Sequence, residues 1–188
     1  ETPANLRIIL KMGIAVSELA SAQDVLRALD ECADSDLLVD ALLGTGLNAE
    51  VQGLMRTFIE KINDLPAPVL AVDIPSGLCA DTGRPLGAAV EASVTVTYGW
   101  PKLGQILPPG RDYVGRLWQV DIGTPPVLAQ EIPVELTEAQ EMRGLLPPRA
   151  FAAHKGSFGH LVVVAGSEGK TGAAALAGRG ALRAEAGL

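Results

Sequence analysis

Residues 36–50 read DLLVDALLGTGLNAE, and residues 69–77 read VLAVDIPSG. Each stretch is an apolar run that ends in an acidic residue, Asp40 or Asp73, and continues into a turn that contains glycine. Nearly unbroken apolar runs are typical of strands that are covered on both faces of a parallel sheet. Open parallel sheets bind ligands outside the carboxyl ends of their strands. We therefore expect Asp40 and Asp73 to face one crevice if their strands are neighbours.

The flanking sequence alternates between helical and strand patterns. The β-branched run ASVTVTY at 92–98 and the partly alternating run at 115–122 indicate two further strands. Apolar residues recur at helical spacing in several other segments, and a short strand is predicted at 14–16. The predicted helices cover residues 4–12, 21–33 (capped by Ser17 or Ser21), 52–63 and 137–146. This order predicts an α/β fold, a Rossmann-like three-layer sandwich with a mainly parallel sheet.

The composition limits the classes of function. The 188 residues carry a net charge of −7, which argues against a nucleic-acid-binding protein with a basic face. No apolar run approaches the roughly 18 residues of a membrane span, so no membrane partner is expected. The two cysteines form no disulfide framework, which favours a reducing compartment and a cytoplasmic location. The sequence has no initiator methionine and stops abruptly at Leu188, so we expect it to be a fragment.

A change of charge and pattern divides the chain near Arg143. Residues 1–142 are net acidic, whereas residues 143–188 are net basic. In the second part, the apolar run HLVVVA at 160–165 predicts a strand, and an alanine-rich helix is predicted from about Gly172. We interpret this second part as the first βα unit of another domain.

The turn after the first strand fits a nucleotide-binding pattern. GTGLNA at Gly44–Ala49 matches G-x-G-x-x-G/A, in which glycines let the backbone approach phosphates at a helix N-terminus. Asp73 then stands roughly where a ribose-binding acid would lie. A plain tight turn explains the same residues, and the sequence leaves both interpretations open. A second glycine-rich stretch at 164–171 lacks the glycine spacing of a P-loop, so we reject a P-loop there.

Oxygen-bearing side chains also follow the two strands. Asp40 and Ser76 offer the hard oxygen ligands that hard cations prefer, although such residues commonly cap turns. On spacing alone, turn capping is the favoured interpretation. Lys102 lies in a loop rich in proline and glycine, and we expect its side chain to be exposed rather than bound to a phosphate.

Four motifs of the first part, taken together, resemble one known family. They are VDALLGTGL at 39–47, AVDIPSGLCADTG at 71–83, ASVTVTYGWPKLGQILPPG at 92–110 and VGRLWQVDIG at 114–123. In this order and spacing they closely resemble the NAD(P)H-hydrate epimerase, or YjeF N-terminal, domain. Residues 154–188 resemble the start of the ADP/ATP-dependent NAD(P)H-hydrate dehydratase domain, which has a ribokinase-like fold. The tandem is similar to the bifunctional NAD(P)H-hydrate repair enzymes.

The resemblance implies a chemistry and a set of site residues. Such enzymes epimerise the R and S hydrates of NADH and NADPH, and they dehydrate the S form with ATP or ADP and Mg²⁺. The family's K⁺ ligands fall on Asp40 and Ser76, and the dehydratase contact with the hydrate falls on Ala173. Asp73 is expected to bind the hydrate and to act as the general acid/base of epimerisation. The other implied substrate-binding residues are Gly44, Thr45, Gly46, Leu47, Asn48, Ala49 and Glu50.

The resemblance is incomplete at both ends of the chain. The family's NNGGDG-type loop is absent from the sequence, and so are the dehydratase's nucleotide-binding loop and catalytic aspartate. We expect these residues alone to lack dehydratase activity and to carry an incomplete epimerase site. A homo-oligomer is expected. Two other hypotheses stay open, namely a non-catalytic dimerisation module of the same domain type and a Rossmann NAD-dependent dehydrogenase.

Overall fold

The computed structural model describes residues 2–145, 148, 150–184 and 186. The chain forms two compact units, Glu1–Glu131 and Ile132–Leu188. The functional boundary predicted near Arg143 stays a prediction. Within the described residues, every helix is too short or too polar to cross a bilayer.

The first unit is built on a four-stranded parallel sheet. The strands lie side by side in chain order, as β1 (Leu38–Asp40), β2 (Val69–Val72), β3 (Val94–Tyr98) and β4 (Arg116–Val120). This sheet and its flanking helices confirm the predicted α/β class. The strands are shorter than the apolar runs that predicted them, because pairing with the neighbouring strand covers only part of each run.

Helices precede and follow the strands of this unit. They are α1 (Thr2–Lys11), α2 (Ala22–Cys32), α3 (Gly53–Asn63) and the short α4 (Leu103–Ile106). The Ser21 hydroxyl accepts a hydrogen bond from the Asp24 N–H (3.2 Å), and the Asp24 carboxylate accepts one from the Ser21 N–H (2.9 Å). This capping box sets the start of α2 at the residue that the sequence offered as a cap.

An aliphatic core joins α2 and α3 to the sheet. Val25 and Leu29 of α2, Ile59 and Ile62 of α3, and Val69 of β2 are buried in one cluster. Full burial of one such side chain stabilises a fold by about 1.5–3 kcal/mol. The cluster therefore fixes α2 and α3 beside β2, and with them the loops that leave the carboxyl ends of the first two strands.

The loop after β2 needs a glycine at its turn. Gly77 has a φ of +91°, and a Cβ at this position would collide with the carbonyl oxygen of Ala88. The Val90 N–H donates to the carbonyl of the preceding Ser76 (2.9 Å), and the Leu86 N–H donates to the carbonyl of Gly77 (2.9 Å). These contacts hold Ser76 at the carboxyl edge of the sheet.

Two predicted strands are not found in the described part of the chain. Residues 14–16 and 160–165 have no regular secondary structure, and most of their apolar side chains are exposed. A strand needs a neighbour to satisfy its backbone N–H and C=O groups, and no described segment pairs with either run. The second unit contains α5 (Ala139–Leu145) and α6 (Gly172–Arg183), as the helical patterns predicted. A ribokinase-like fold for this unit stays a prediction.

Candidate functional site

Asp40 and Asp73 lie at the same edge of the sheet. Asp40 is the last residue of β1, and Asp73 directly follows β2, the strand that pairs in parallel with β1. The two strand ends therefore meet at one edge of the sheet. The carboxylates bind separate sets of partners, so the single crevice expected for both of them is not confirmed. An apolar hollow of about 170 Å³ borders Asp40, between α2, β1 and α3, and Asp73 does not line it.

Asp40 and Ser76 form a buried cluster of oxygen atoms. Asp40 is 3% exposed and Ser76 is fully buried. One Asp40 oxygen accepts from the Ser76 N–H (2.8 Å), and the other accepts from the Ser76 hydroxyl (2.6 Å) and the Leu42 N–H (3.3 Å). The Ser76 hydroxyl oxygen accepts from the Leu43 N–H (2.8 Å) and lies 3.2 Å from the Leu43 carbonyl oxygen.

The oxygen atoms of this cluster suit a cation. A buried carboxylate is costly unless a positive charge or several hydrogen bonds compensate it, and within the described residues Asp40 has no salt-bridge partner. Carboxylate, hydroxyl and carbonyl oxygens are the ligands of hard cations, and carbonyl oxygens coordinate K⁺ in proteins. The turn-capping interpretation also holds, since Ser76 ties the loop after β2 to the loop after β1. The two roles use the same atoms.

Asp73 lies in a second, more open cluster with a cation. Its carboxylate accepts hydrogen bonds from the Lys102 ammonium, the Tyr98 N–H (3.0 Å) and the Thr97 hydroxyl (3.3 Å). The Lys102 ammonium also donates to the Thr97 hydroxyl (2.8 Å) and the Tyr98 carbonyl (3.1 Å). The Asp73 side chain is 26% exposed and that of Lys102 is 20% exposed. The pair is therefore partly screened from solvent and still reachable by a ligand.

The surroundings of Asp73 keep its carboxyl group ionised. Burial raises the pKa of Asp73, but the hydrogen bond and charge of Lys102, together with the Tyr98 N–H, outweigh burial and lower the pKa below its usual value. At neutral pH, Asp73 is a carboxylate held beside an ammonium group. The carboxylate of such a pair can accept a proton, while the three donors of the Lys102 ammonium are taken up by Asp73, Thr97 and Tyr98.

The backbone of Asp73 is unusual and is fixed at both ends. Asp73 is the one residue other than glycine with a positive φ (+67°) in the described part of the chain. Its N–H donates to the carbonyl of Val96 (2.8 Å), which continues the ladder toward β3. Its carbonyl accepts from the side chain of the fully buried Gln105 (2.6 Å). Left-handed conformations of residues other than glycine are costly and concentrate at functional sites.

The loop at residues 44–50 leaves the same edge of the sheet. Most of it is exposed, and a Cβ added at Gly44 or Gly46 would meet no atom within 4 Å. Within the described residues, the backbone N–H groups of Gly44, Thr45 and Gly46 have no hydrogen-bond acceptor. Helix α3 begins at Gly53, next to the predicted start at residue 52, so Gly44–Ala49 lies in the loop before the helix and not in its first turn. The N–H groups of Gly44, Thr45 and Gly46 that have no acceptor therefore belong to a loop.

The sequence analysis missed important partners of Asp73. The expectation that Lys102 is exposed is wrong, because its ammonium binds Asp73 across 29 residues of sequence. Thr97 and Gln105 were not singled out at all. A signal was available for Lys102, since it follows a strand whose carboxyl end lies at the edge predicted to hold the site. Ala173 lies in the second unit, exposed in the first turn of α6.

The sheet and the side chains at its edge indicate the class of this protein, and a comparison with family models gives its family. An open parallel sheet with polar side chains at the carboxyl ends of neighbouring strands is a ligand-binding α/β domain. The family model described as YjeF-related protein N-terminus matches residues 1–104. The chain belongs to this family.

Curated relatives match most of the chain and carry the name bifunctional NAD(P)H-hydrate repair enzyme Nnr. The protein from Moorella thermoacetica is 42% identical over 186 residues, which cover 98% of this chain and 35% of the relative. That from Thermofilum pendens is 38% identical over 183 residues, or 97% of this chain and 34% of the relative. That from Escherichia coli K12 is 42% identical over 154 residues, or 81% and 30%. The chain spans about a third of the length of these relatives.

Proposed function

We propose that this chain provides the epimerase site of an NAD(P)H-hydrate repair enzyme, which interconverts the R and S hydrates of NADH and NADPH. The observation that carries the proposal is the Asp73–Lys102 pair at the carboxyl edge of the sheet, in a chain of the YjeF N-terminal family. The names of the relatives supply the substrate class. Without them, the pair would support proton transfer but no particular substrate.

Asp73 is the proposed general acid/base of the epimerisation. Asp73 is a carboxylate at neutral pH, so it can accept a proton from the hydrated nicotinamide and, once protonated, return a proton to the same substrate. Lys102 holds the carboxylate in place through its hydrogen bond and compensates its negative charge. The partial exposure of both side chains leaves room for the substrate to approach them.

The loop at residues 44–50 is proposed to hold the dinucleotide. Its free N–H groups at Gly44–Gly46 can donate to a phosphate, which compensates for the lack of a basic face in an acidic protein. The absence of side chains at Gly44 and Gly46 lets a phosphate approach the backbone closely. Because α3 starts only at Gly53, the loop does not form the helix-opening fingerprint of a Rossmann dehydrogenase, which makes that alternative less well supported.

Asp40 and Ser76 are proposed to hold K⁺, joined by the carbonyl oxygen of Leu43. The buried oxygen cluster, in which Asp40 has no salt-bridge partner among the described residues, fits such an ion. A bound K⁺ would compensate the charge of the Asp40 carboxylate. The hydrogen bonds between Asp40 and Ser76 already join the loops after β1 and β2. A bound K⁺ would join the same two loops.

The second unit is proposed to belong to the dehydratase part of a longer, cytoplasmic, homo-oligomeric protein. In that protein Ala173 would contact the hydrate, and ATP or ADP with Mg²⁺ would drive dehydration of the S form. The support is the length of the relatives and their bifunctional name. A non-catalytic dimerisation module has no specific observation in its favour.

The proposal is tested with the full-length protein and one purified epimer of NADH hydrate. We expect the R epimer to be converted to a mixture of R and S without added nucleotide, faster in K⁺ than in Li⁺ buffer, as measured by separating the epimers chromatographically. Addition of ATP and Mg²⁺ should then consume both epimers and yield NADH. Conversion no faster than in buffer alone would refute the epimerase assignment, and equal rates in K⁺ and Li⁺ would refute the K⁺ site.

A further inference from the structure

Gln105 bridges the backbones of the two residues that form the charged pair. Its side-chain NH₂ donates to the carbonyl of Asp73 (2.6 Å), and its side-chain oxygen accepts from the backbone N–H of Lys102 (2.8 Å). The side chain is fully buried. A glutamine amide buried in a small domain is normally fully hydrogen-bonded, but here both bonds run to the residues that carry the proposed chemistry.

The Asp73 backbone depends on this bridge. A φ of +67° is rarely adopted by residues with a side chain, so the surrounding contacts must hold it. The Val96 carbonyl holds the N–H of Asp73, and Gln105 holds its carbonyl. Together they leave the Asp73 side chain little freedom to leave the edge of the sheet.

The position of Lys102 depends on the same bridge. Lys102 precedes α4, a helix of only four residues (Leu103–Ile106), and so short a helix gains little stability from its own hydrogen bonds. Its position is set by contacts with its surroundings. Gly104 packs so closely on the loop after β2 that a Cβ there would collide with the carbonyl oxygen of Cys79. The Gln105 side chain ties the start of the helix to Asp73.

We infer that Gln105 is a positioning residue of the epimerase site, which sets the separation of the Asp73 carboxylate and the Lys102 ammonium by holding both backbones. The inference rests on the proposed function. A glutamine that merely fills the core would affect folding stability alone. A positioning residue would affect turnover beyond what the loss of stability explains. It would affect substrate binding much less, because within the described residues Gln105 makes no hydrogen bond to the loop at residues 44–50 or to Ser76.

The test compares Gln105→Met with Ile59→Val in the full-length protein. Methionine matches glutamine in length and volume but makes neither hydrogen bond, whereas Ile59→Val loosens the buried core between α2, α3 and the sheet. We expect Gln105→Met to lower kcat by about tenfold to a hundredfold, as small misplacements of catalytic groups do, with KM within about twofold of wild type. Ile59→Val should lower Tm and leave kcat unchanged.

A second measurement does not depend on activity. Lys102 should react slowly with acetic anhydride while its ammonium is held by Asp73, and its labelling, followed by mass spectrometry, should rise several-fold in Gln105→Met. Lys61, paired with Asp64 on the surface, serves as the internal reference in each sample. If the wild-type protein shows no epimerisation, the proposed function is refuted. The labelling still tests whether Gln105 keeps the Lys102 ammonium beside Asp73.

Each outcome supports or overturns the positioning role. A fall in kcat with unchanged KM, together with faster labelling of Lys102, supports it. Unchanged kcat and labelling overturn it, and so does a fall in kcat that Ile59→Val reproduces at an equal loss of Tm. If Gln105→Met fails to fold, Gln105→Glu is measured instead, since it keeps the acceptor for Lys102 and loses the donor to Asp73. Wild-type labelling of Lys102 in Gln105→Glu then overturns the inference.

Discussion

Asp40 and Asp73 end neighbouring strands of one parallel sheet, yet the fold gives their carboxylates opposite surroundings. Asp40 is buried and bound by the backbone and hydroxyl of Ser76. Asp73 is partly exposed, is bound by the Lys102 ammonium, and has a left-handed backbone. The sequence presents the two residues in the same context, an apolar strand followed by a glycine-containing turn.

The difference assigns the two residues different tasks. Asp40 joins two loops through buried hydrogen bonds, so its loss should mainly affect stability and the proposed cation site. Asp73 keeps its charge in a place that a substrate can reach, so its loss should mainly affect turnover. The comparison fails if both residues affect the same property to the same extent.

The largest effect is expected for Asp73→Asn. Asparagine tolerates a left-handed backbone and can keep hydrogen bonds in this cluster, but it cannot accept a proton. The rate of epimerisation should fall by roughly 10²–10⁴-fold, the usual contribution of a general acid/base, while circular dichroism and Tm stay close to wild type. Asp30→Asn, at an exposed position of α2, is the control and should keep full activity. An active Asp73→Asn protein would remove the assigned role.

Asp40→Ala should produce the next largest effect, and on stability. The substitution leaves the buried Ser76 N–H without an acceptor and the Ser76 hydroxyl with only the Leu43 carbonyl, 3.2 Å away. An unsatisfied buried polar group costs about 1–3 kcal/mol. We expect the free energy of unfolding, measured by urea titration, to fall by about 2–4 kcal/mol. Asp73→Asn measured in parallel should change it by less than about 1 kcal/mol, because the pair with Lys102 is partly exposed and asparagine keeps an acceptor for the same donors. Equal losses would contradict the division of tasks.

Lys102→Met should have the smallest effect on rate and a specific effect on pH dependence. Lys102 lowers the pKa of Asp73, so its removal lets burial raise that pKa. Because Asp73 must be ionised to accept a proton, the acid limb of the profile of kcat/KM against pH should move to higher pH. At neutral pH the rate should fall by roughly tenfold, because the carboxylate loses a hydrogen bond to a charged group, which contributes at least about 1.5 kcal/mol. An acid limb at its wild-type position would show that Lys102 does not act through Asp73.

Strand identity could be predicted from the sequence because its signal is local. The apolar runs before Asp40 and Asp73 and the β-branched run at 92–98 each need only their own residues to predict a strand. The run at 160–165 has the same signal but no described pairing partner, and it forms no strand. A local pattern shows that a segment tends to form a strand. The strand forms only where a second segment pairs with it.

The sequence by itself determined which residues stand at the carboxyl edge of the sheet, since a parallel α/β order places every strand end there. It therefore supplied Asp40, Ser76 and Asp73 as candidates. Only the tertiary structure decided that Ser76 binds Asp40 and that Lys102 and Gln105 bind Asp73. Those contacts join residues 29 to 36 positions apart. The angle at which the loops fold back sets such distances, and no local pattern encodes it.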